Sequence, residues 1–358
     1  MNYFELLRLS IGASQDIPLD KDTDWELMYD IAQKQCLVGV MFKGIEKLPS
    51  DMQPPTELFF QWYGECELIR GMNELASTVA VYIHKTFNDA GIGNCILKGQ
   101  GNALLYEDSS LRNPGDIDLW IDPQKIVIKD GKLLVGEKQL RVWGPEYHHM
   151  ETEPVKDVPL EIHYRPSFMN NLIHNKRLQR WYTDMSQEQF RHEVRIDDKG
   201  YITIPTAPFN LIYQLCHVLH HFLKEGIGLR QLVDYHFVLK NAYGKVDVKE
   251  IEKTLKHVGL YQIARAVMYI EHELLGLEEK YLIVPENEKM GKFLIQEIMI
   301  SGNFGIYDPR IKRSNSRLLR NISRLCRDVR LFRYFPSECL WEPIFRIYHF
   351  IWRQRHQV

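Results

Sequence analysis

The chain has 358 residues, of which 45% are apolar and 26% charged, and its formal net charge is −2. This is an ordinary soluble globular composition, and the length predicts two or three structural units. The six cysteines are scattered without a C-x-x-C pair, which argues against a zinc ribbon or disulfide framework and fits a reducing cytoplasm. We expect neither a signal peptide nor a membrane span, because no uncharged apolar stretch approaches about 18 residues.

Residues 1–90 are predicted to be helical. The tetrapeptide "TDWE" fits a capping box whose ends are Thr23 and Glu26. A long helical pattern with few breakers then runs from Glu57 to Asn88. The first part of the chain is therefore an N-terminal helical region.

The hydrophobic period changes at Gly91, and residues 91–206 predict a small α/β unit. Strands are indicated by "NCILKG" (94–99), "DIDLWID" (116–122) and "VPLEIHYRP" (158–166), and a short helix by "QGNALLYED" (100–108). The segment after the second strand, "KIVIKDGKLLVGEKQLRVWG", indicates hairpin strands with "KDGK" as the turn.

A helical pattern returns over residues 207–358. Two helices are predicted on either side of "GIG" (226–228), followed by helices over 247–275, 286–300 and 314–334. The predicted fold class is thus α+β and helix-rich, with a small mixed sheet between two helical regions.

The C-terminal part of the chain is strongly basic. Residues 310–358 carry twelve Lys/Arg against three Asp/Glu, about +9, which leaves about −11 for the remainder. One helical face there is apolar (Ile322, Leu325, Val329, Phe332) and another is cationic (Arg317, Arg320, Arg324, Arg327). The cationic face is interpreted as a solvated helix face, a surface for RNA or another polyanion, or a docking surface.

The pair "DID" is the first candidate for chemistry. On a strand, Asp116 and Asp118 project from the same face, where two unpaired carboxylates repel each other and lose hydration. A divalent cation removes that cost, and hard oxygen ligands suit Mg²⁺. Glu161 lies mid-strand with His163 on the same face, so it is the obvious third ligand. The alternative is a chance D-x-D pair on an exposed strand.

The combined blocks "LKGQGNALLY", "RNPGDIDLWI", "VPLEIHYRP" and "HHFLKEGIGLRQLVDY" resemble an uncharacterised bacterial family of the polymerase-β-like nucleotidyltransferase superfamily. The resemblance covers most of residues 25–240. It implies transfer of a nucleoside monophosphate from an NTP such as ATP to an unknown acceptor (a small molecule, a protein or RNA), with release of pyrophosphate. It also implies two Mg²⁺ ions, or Mn²⁺, held by Asp116, Asp118 and Glu161.

The same resemblance implies that the turn after the first strand, formed by Lys98, Gly99 and Gln100, lies at the nucleotide phosphates. The superfamily's usual Gly-Ser is replaced here by Gly-Gln, although an amide still donates hydrogen bonds. Further candidates for contact with the nucleotide or the acceptor are Arg112, His163, His221 and Arg230.

Two other functions stay open from the residues alone. A metal-dependent phosphohydrolase is one, since the acids and histidines offer six ligands: Asp116, Asp118, His148, His149, Glu161 and His163. A catalytically inactive binding module on the same fold is the other. The second histidine block, with His217 and His221 followed by Arg230 and Asp234, is interpreted either as a buried polar network joining two helices or as part of the substrate site.

Overall fold

The computed structural model describes residues 2–16, 23–310 and 317–355, except for the side chains of 317–320. Its first part contains four helices: α1 (Tyr3–Ser10), α2 (Trp25–Lys34), α3 (Val38–Glu46) and α4 (Thr56–Asp89). The 34 residues of α4 extend about 50 Å at 1.5 Å per residue. The predicted capping box is off by one residue, because Asp24 caps α2 by accepting a hydrogen bond from the Leu27 N–H.

The central part forms a seven-stranded mixed sheet in the order β1-β2-β7-β6-β5-β4-β3. Its strands are β1 (Asn94–Ile96), β2 (Ile117–Ile121), β3 (Ile128–Lys129), β4 (Lys132–Val135), β5 (Lys138–Trp143), β6 (His149–Thr152) and β7 (Leu160–His163). Strands β2 and β7 run parallel, whereas the other neighbours run antiparallel. The short helix α5 (Gln100–Ala103) connects β1 to β2. The predicted α+β class is confirmed.

The turn between β3 and β4 has the predicted hairpin geometry. Asp130 and Gly131 have φ angles of +52° and +69°. Positive φ at both central residues is typical of the type I′ turn, whose twist matches that of paired strands. The hairpin prediction from "KDGK" is therefore confirmed.

Strand β2 is buried along its whole length. One face packs Ile117, Leu119 and Ile121 into a core that includes Ile83 of α4. On the other face Trp120 packs beside Phe209. Because both faces are covered, Asp118 points into a buried polar site and not into bulk solvent.

After the sheet the chain is largely helical. Its elements are α6 (Leu172–Gln189), β8 (Glu193–Ile196), β9 (Gly200–Thr203), α7 (Ala207–Lys224), α8 (Leu229–Ala242), α9 (Val248–Val258), α10 (Tyr261–Tyr269), α11 (Glu288–Ser301), α12 (Arg317–Phe332) and α13 (Pro336–Arg355). The predicted pair around "GIG" is α7 and α8. The predicted 247–275 helix is divided, because Gly259 adopts φ +83° and ends α9. Helix α13 was not predicted.

Helices α12 and α13 form a hairpin whose orientation differs from the sequence prediction. The apolar stripe of α12 is exposed, from 44% at Phe332 to 77% at Val329, whereas Arg327 is only 8% exposed. Arg327 donates a 2.7 Å hydrogen bond to the Phe222 carbonyl at the end of α7. The interpretation of the arginine face as solvated is therefore wrong at Arg327, which packs against the end of α7, whereas Arg324 on the same face is exposed. The side chains of Arg317 and Arg320 lie outside the described residues.

The helices on either side of the sheet share a hydrophobic core. One cluster of buried side chains joins Trp62 of α4, Trp120 of β2 and Phe209 of α7. The division at residues 90 and 206 stays a prediction, since packing crosses both positions. Within the described ranges, none of the helices combines the length and apolar character that crossing a membrane requires.

Candidate active site

The three predicted carboxylates meet at the junction of β2 and β7. Asp118 is paired in register with Glu161 on the neighbouring parallel strand, and Asp116 lies two residues before Asp118. One oxygen from each of the three side chains lies within 4.8 Å of the others. The parallel pairing explains this convergence, because residues in register on adjacent strands project from the same face. The structure therefore brings Glu161 to two aspartates that precede it by 43 and 45 residues in the sequence.

Two cationic side chains contact this carboxylate cluster. The Lys98 Nζ lies 3.0 Å from Oδ2 of Asp118 and 3.9 Å from Oδ1 of Asp116. His163 places Nε2 2.9 Å from Oδ1 of Asp118 and 3.3 Å from Oε2 of Glu161. Lys98 and His163 thus compensate carboxylates that have lost most of their hydration.

The pKa shifts follow from these contacts. Burial lowers the pKa of His163, but hydrogen bonds with Asp118 and Glu161 outweigh burial and raise it to about 9. Burial would raise the pKa of Asp118, yet the Lys98 ammonium and His163 hold it below its ordinary value. The pKa of Glu161 is likewise held down, mainly by His163 against the effect of burial. Near neutral pH, Asp118 and Glu161 are therefore ionised and His163 is an imidazolium.

The donor set fits a divalent cation. Oδ2 of Asp118 is buried and accepts no hydrogen bond within the described part of the chain, although the Lys98 ammonium is near it. Three carboxylates within reach of one point are the hard oxygen ligands that Mg²⁺ and Mn²⁺ prefer. A cation at this point would satisfy the Asp118 oxygen and reduce carboxylate repulsion.

The glycine turn connects β1 to the cluster. Gly99 has φ +62° and ψ −114°, a conformation that strongly favours glycine. It follows Lys98 directly, so the turn determines where the ammonium points. The side-chain amide of Gln100 donates to Ser77 Oγ at 3.1 Å and to Asn73 Oδ1 at 3.4 Å, both on α4. These amide donors are directed at α4, and a phosphate contact by Gln100 stays a prediction.

Replacing Gly99 with alanine tests whether the turn depends on this conformation. An added Cβ would have ordinary contact with the Asp116 carbonyl at 3.7 Å, so the cost is backbone strain. We expect the free energy of unfolding to fall by about 1–3 kcal/mol, measured by urea denaturation. The matched control is Gly64→Ala at an exposed position of α4 with open space around it, which should be neutral or stabilising. Equal effects of the two substitutions would contradict the assignment of strain to Gly99.

Arg112 lies in a buried ion pair. Its Nε and Nη2 donate to the two carboxylate oxygens of Asp234, each at 2.7 Å. The Tyr106 hydroxyl donates to the same carboxylate at 2.6 Å, and Arg112 is 3% exposed. This bidentate pair fastens the segment before Asp116 to helix α8. The nucleotide contact predicted for Arg112 stays a prediction, since this guanidinium already binds Asp234.

Arg230 supports the same segment from α8. Its Nη1 donates to the carbonyl oxygens of Asn113 at 2.9 Å and Pro114 at 3.3 Å. These residues immediately precede Gly115 and Asp116. Arg230 therefore lies beside the segment that leads into β2. The phosphate contact predicted for Arg230 stays a prediction. The polar side chains predicted to join α7 to α8 contact the sheet region and not each other. His217 of α7 lies near Lys98, whereas Asp234 and Arg230 of α8 bind the segment before β2.

Histidine side chains pack together on the remaining side of the cluster: His148, His149, His163, His217 and His220. The His148 ring centroid lies 5.3 Å from that of His163 and 5.5 Å from that of His220. His217 Nε2 lies 3.4 Å from Lys98 Nζ. Burial lowers the pKa of His148, His217 and His220 well below the ordinary value, so these rings are neutral.

His221 points away from the carboxylates. Its Nδ1 lies 2.6 Å from Oε1 of Glu225, one helical turn later. A contact between His221 and an acceptor stays a prediction. His149, Glu161 and His163 form a second group whose ligand atoms lie within 4.8 Å of one another. Glu161 thus belongs both to the carboxylate cluster and to a histidine-containing set.

The helix-rich α+β fold and the three carboxylates that converge on its mixed sheet define the class of protein. The chain belongs to a family of nucleotidyltransferases: the family model described as "Uncharacterised nucleotidyltransferase" matches residues 21–276. No curated protein and no solved structure matches the chain. The nucleotidyltransferase family predicted from the motif blocks is confirmed, whereas its bacterial origin stays a prediction. Membership supports a general nucleotidyltransferase role with an NTP as substrate. Helices α11 to α13 lie beyond the matched residues.

Proposed function

We propose that the protein transfers a nucleoside monophosphate from an NTP to an acceptor hydroxyl in a reaction that depends on a divalent metal ion. The observation that carries this proposal is the convergence of Asp116, Asp118 and Glu161 within 4.8 Å in a chain of this family. The new bond joins the acceptor oxygen to the α-phosphorus, the α–β phosphoanhydride bond breaks, pyrophosphate leaves, and the hydroxyl proton is released to solvent.

Asp116, Asp118 and Glu161 would hold Mg²⁺, with two ions when the NTP is bound, and Mn²⁺ is an alternative. When bound, the metal neutralises charge on the phosphates and lowers the pKa of the acceptor hydroxyl. Lys98 is the cation nearest to two of the carboxylates and would meet the negative charge of the triphosphate. Its position after β1 supports a triphosphate path along the Gly99 turn.

Other residues act by positioning. Arg112 and Arg230 hold residues 112–114 in place, so Asp116, the residue before β2, has a defined position. His163 bridges Asp118 and Glu161 and keeps the two carboxylates at a fixed separation. The six free thiols favour a reducing compartment, and we propose the cytoplasm as the place of the reaction.

The direct test is a screen of the four ribonucleoside triphosphates with Mg²⁺ or Mn²⁺. We expect binding by isothermal titration calorimetry, and pyrophosphate release when a small-molecule extract supplies the acceptor. Chelation with EDTA should abolish pyrophosphate release, because the carboxylates alone do not neutralise the triphosphate. Nucleotide binding without pyrophosphate release under all these conditions would favour the inactive binding module. Absence of nucleotide binding would contradict the proposal.

A metal-dependent phosphohydrolase is the second candidate, and the set His149, Glu161 and His163 favours it. Imidazole ligands suit Zn²⁺ and Fe²⁺ better than Mg²⁺. Elemental analysis of the purified protein separates the two functions. Tightly bound zinc, iron or manganese together with phosphate-ester hydrolysis supports the hydrolase, whereas weakly held Mg²⁺ that requires nucleotide supports the transferase.

A further inference from the structure

Both helices of the α12–α13 hairpin expose apolar side chains. On α12 these are 44–77% exposed and recur every three or four residues: Ile322, Leu325, Val329 and Phe332. On α13 they are 46–64% exposed with the same spacing, and Phe350 lies beside them: Leu340, Ile344, Ile347 and Ile351. This spacing places each set on one side of its helix. The two sets together, with Phe350, are the apolar face of the hairpin.

The apolar face points away from the body of the protein. On the inner side of the hairpin, Arg327 donates to the Phe222 carbonyl at the end of α7, and Phe345 stacks on Phe168 at 4.7 Å. Val329 follows Arg327 by two residues, and Ile347 follows Phe345 by two, which is about 200° of rotation around a helix. Because both helices turn their inner sides to the body, both apolar sets lie on the outer side of the hairpin.

Two neighbouring apolar stripes require an explanation that single exposed side chains do not. Isolated apolar side chains are common on protein surfaces. Contiguous apolar patches of several hundred Å² are uncommon on monomers and mark surfaces that bind another protein or a membrane. The apolar face combines stripes from two helices that pack against each other. It is therefore a candidate interaction surface.

Positive charge accompanies the apolar face. Residues 317–355 contain nine arginines and three acidic residues, a net charge of +6. Arg333 directly follows Phe332, and Arg355 lies four residues after Ile351. Both arginines are exposed, so their guanidinium groups can reach past the apolar side chains to anionic groups. The charge of the hairpin is complementary to an anionic partner.

The charges within α13 indicate that this helix lies along a surface. Glu342 and Arg346 form an ion pair in the middle of the helix, and Glu338 is buried, where it accepts from the Asn170 N–H at 2.7 Å. Charged side chains at such positions are costly in the hydrocarbon core of a bilayer. Tyr348 is 40% exposed and is a residue type enriched at the bilayer interface. An orientation parallel to the interface keeps the ion pair out of the hydrocarbon.

An anionic lipid bilayer matches both the apolar and the cationic character of the hairpin. Amphipathic helices rich in arginine lie in the plane of the bilayer, with apolar side chains at the acyl boundary and cations at the lipid phosphates. A second copy of the chain fits less well, because two hairpins of charge +6 would face each other. Nucleic acid also fits less well, because its phosphates leave the apolar stripes in water.

We propose that the apolar face of the α12–α13 hairpin binds the surface of an anionic lipid bilayer and attaches the protein to it without crossing it. Side chains such as Val329 and Ile347 enter the acyl boundary, and Arg333 and Arg355 bind lipid phosphates. The hairpin lies beyond the matched residues 21–276. Attachment to the bilayer is thus a function separate from the proposed transferase reaction.

Flotation of the full chain with lipid vesicles tests the attachment without nucleotide or metal. One vesicle population contains phosphatidylcholine alone, and the other contains phosphatidylcholine with about one third phosphatidylglycerol. We expect binding to the anionic vesicles to be at least about tenfold tighter, because each arginine near an anionic surface adds to the attraction. Most of this difference should disappear in about 1 M salt, where the Debye length is about 3 Å.

Two pairs of substitutions assign the binding to the hairpin. Val329→Gln with Ile347→Gln removes apolar contact without changing charge and should weaken binding about tenfold or more. Arg333→Gln with Arg355→Gln should weaken binding to anionic vesicles and leave binding to neutral vesicles unchanged. All four side chains are exposed, so we expect the fold to be kept, and circular dichroism checks this.

The matched control replaces two equally exposed apolar side chains on α4. Phe60 and Leu68 are 65% and 69% exposed, and Phe60→Gln with Leu68→Gln should leave vesicle binding unchanged. Protein that does not float with anionic vesicles, or that binds neutral vesicles equally well, overturns the inference. Equal weakening by the control pair and the Val329/Ile347 pair overturns the assignment to the hairpin.

Two further outcomes identify a different occupant and also overturn the inference. A lipid-free dimer in light scattering, which Val329→Gln with Ile347→Gln converts to a monomer in a protein that does not float, identifies a second copy. Binding of polyuridylate that the Arg333/Arg355 pair weakens, again without flotation, identifies an RNA surface. Vesicle binding that both hairpin pairs weaken, in a protein that binds no NTP, supports the bilayer surface and contradicts only the proposed function.

Discussion

Replacing Asp118 with asparagine is expected to lower metal-dependent pyrophosphate release by about 10³-fold or more. Asp118 is 2% exposed and lies between Asp116 and Glu161, so it is central to the carboxylate cluster. Asparagine keeps the shape of the side chain but lacks the charge that would hold a divalent cation. Single-turnover pyrophosphate release with the NTP that binds in the screen measures the effect.

The matched control for this substitution is Asp122→Asn on the same segment. The Asp122 carboxylate caps the turn after β2 by accepting from the Gln124 N–H, and it is not among the converging ligands. We expect this variant to keep wild-type activity. Circular dichroism establishes that both variants are folded. Full activity in folded Asp118→Asn protein would refute the assignment of the cluster as the metal site.

Replacing Asp234 with asparagine is expected to lower the free energy of unfolding by about 3–5 kcal/mol. The substitution removes the negative charge that pairs with Arg112, which stays buried without a counter-charge. The Tyr106 hydroxyl also loses a charged acceptor. Urea denaturation at pH 7 measures the loss, and we expect reduced NTP turnover because the segment before Asp116 is released.

The pH dependence of this effect has a defined sign. Burial would raise the pKa of Asp234, but the Arg112 guanidinium and the Tyr106 hydroxyl hold it below its ordinary value. The pair therefore stabilises the fold above the unfolded-state pKa of about 3.9, and this contribution is lost as pH falls through the lower folded-state pKa. The difference between wild type and Asp234→Asn should be constant near neutrality and shrink in acid.

The control for Asp234 is Asp184→Asn, since Asp184 forms an exposed pair with Arg180. Exposed ion pairs contribute little, so the free energy of unfolding should change by less than about 1 kcal/mol. A loss of similar size in both variants would show that burial of the Arg112–Asp234 pair is not what makes it stabilising. The double variant Arg112→Met with Asp234→Leu should recover part of the lost stability, because it leaves no unpaired charge.

Local pattern in the sequence determined strands β1, β2 and β7, the hairpin after β2 and the composition of the candidate site, whereas β6, β8 and β9 were not predicted. The alternation of "DIDLWID" put Asp116 and Asp118 on one face, and the charge in the middle of "PLEIHYRP" identified Glu161. Strand periodicity depends only on neighbouring residues, so it can be recognised in the sequence without knowledge of the fold. The hairpin turn at Asp130 and Gly131 was predictable for the same reason.

Pairing over long distances was decided by the tertiary structure. Arg112 and Asp234 are 122 residues apart, and nothing local to either residue indicates the other. Similarly, the sequence showed that Lys98 precedes a glycine turn, but only packing of α7 brings His217 to it. The candidate ligands were therefore found from sequence, whereas the residues that hold them in position were not.

The α12–α13 hairpin shows most clearly what sequence periodicity does not determine. The sequence by itself determined that α12 has an apolar face and an arginine face, because a 3.6-residue period separates them. Which face packs inward depends on the surfaces that it meets, and here Arg327 reaches the Phe222 carbonyl while Val329 is exposed. Periodicity defines the faces of a helix, and the tertiary structure alone decided that Arg327 is buried against the end of α7 while the apolar stripe stays exposed.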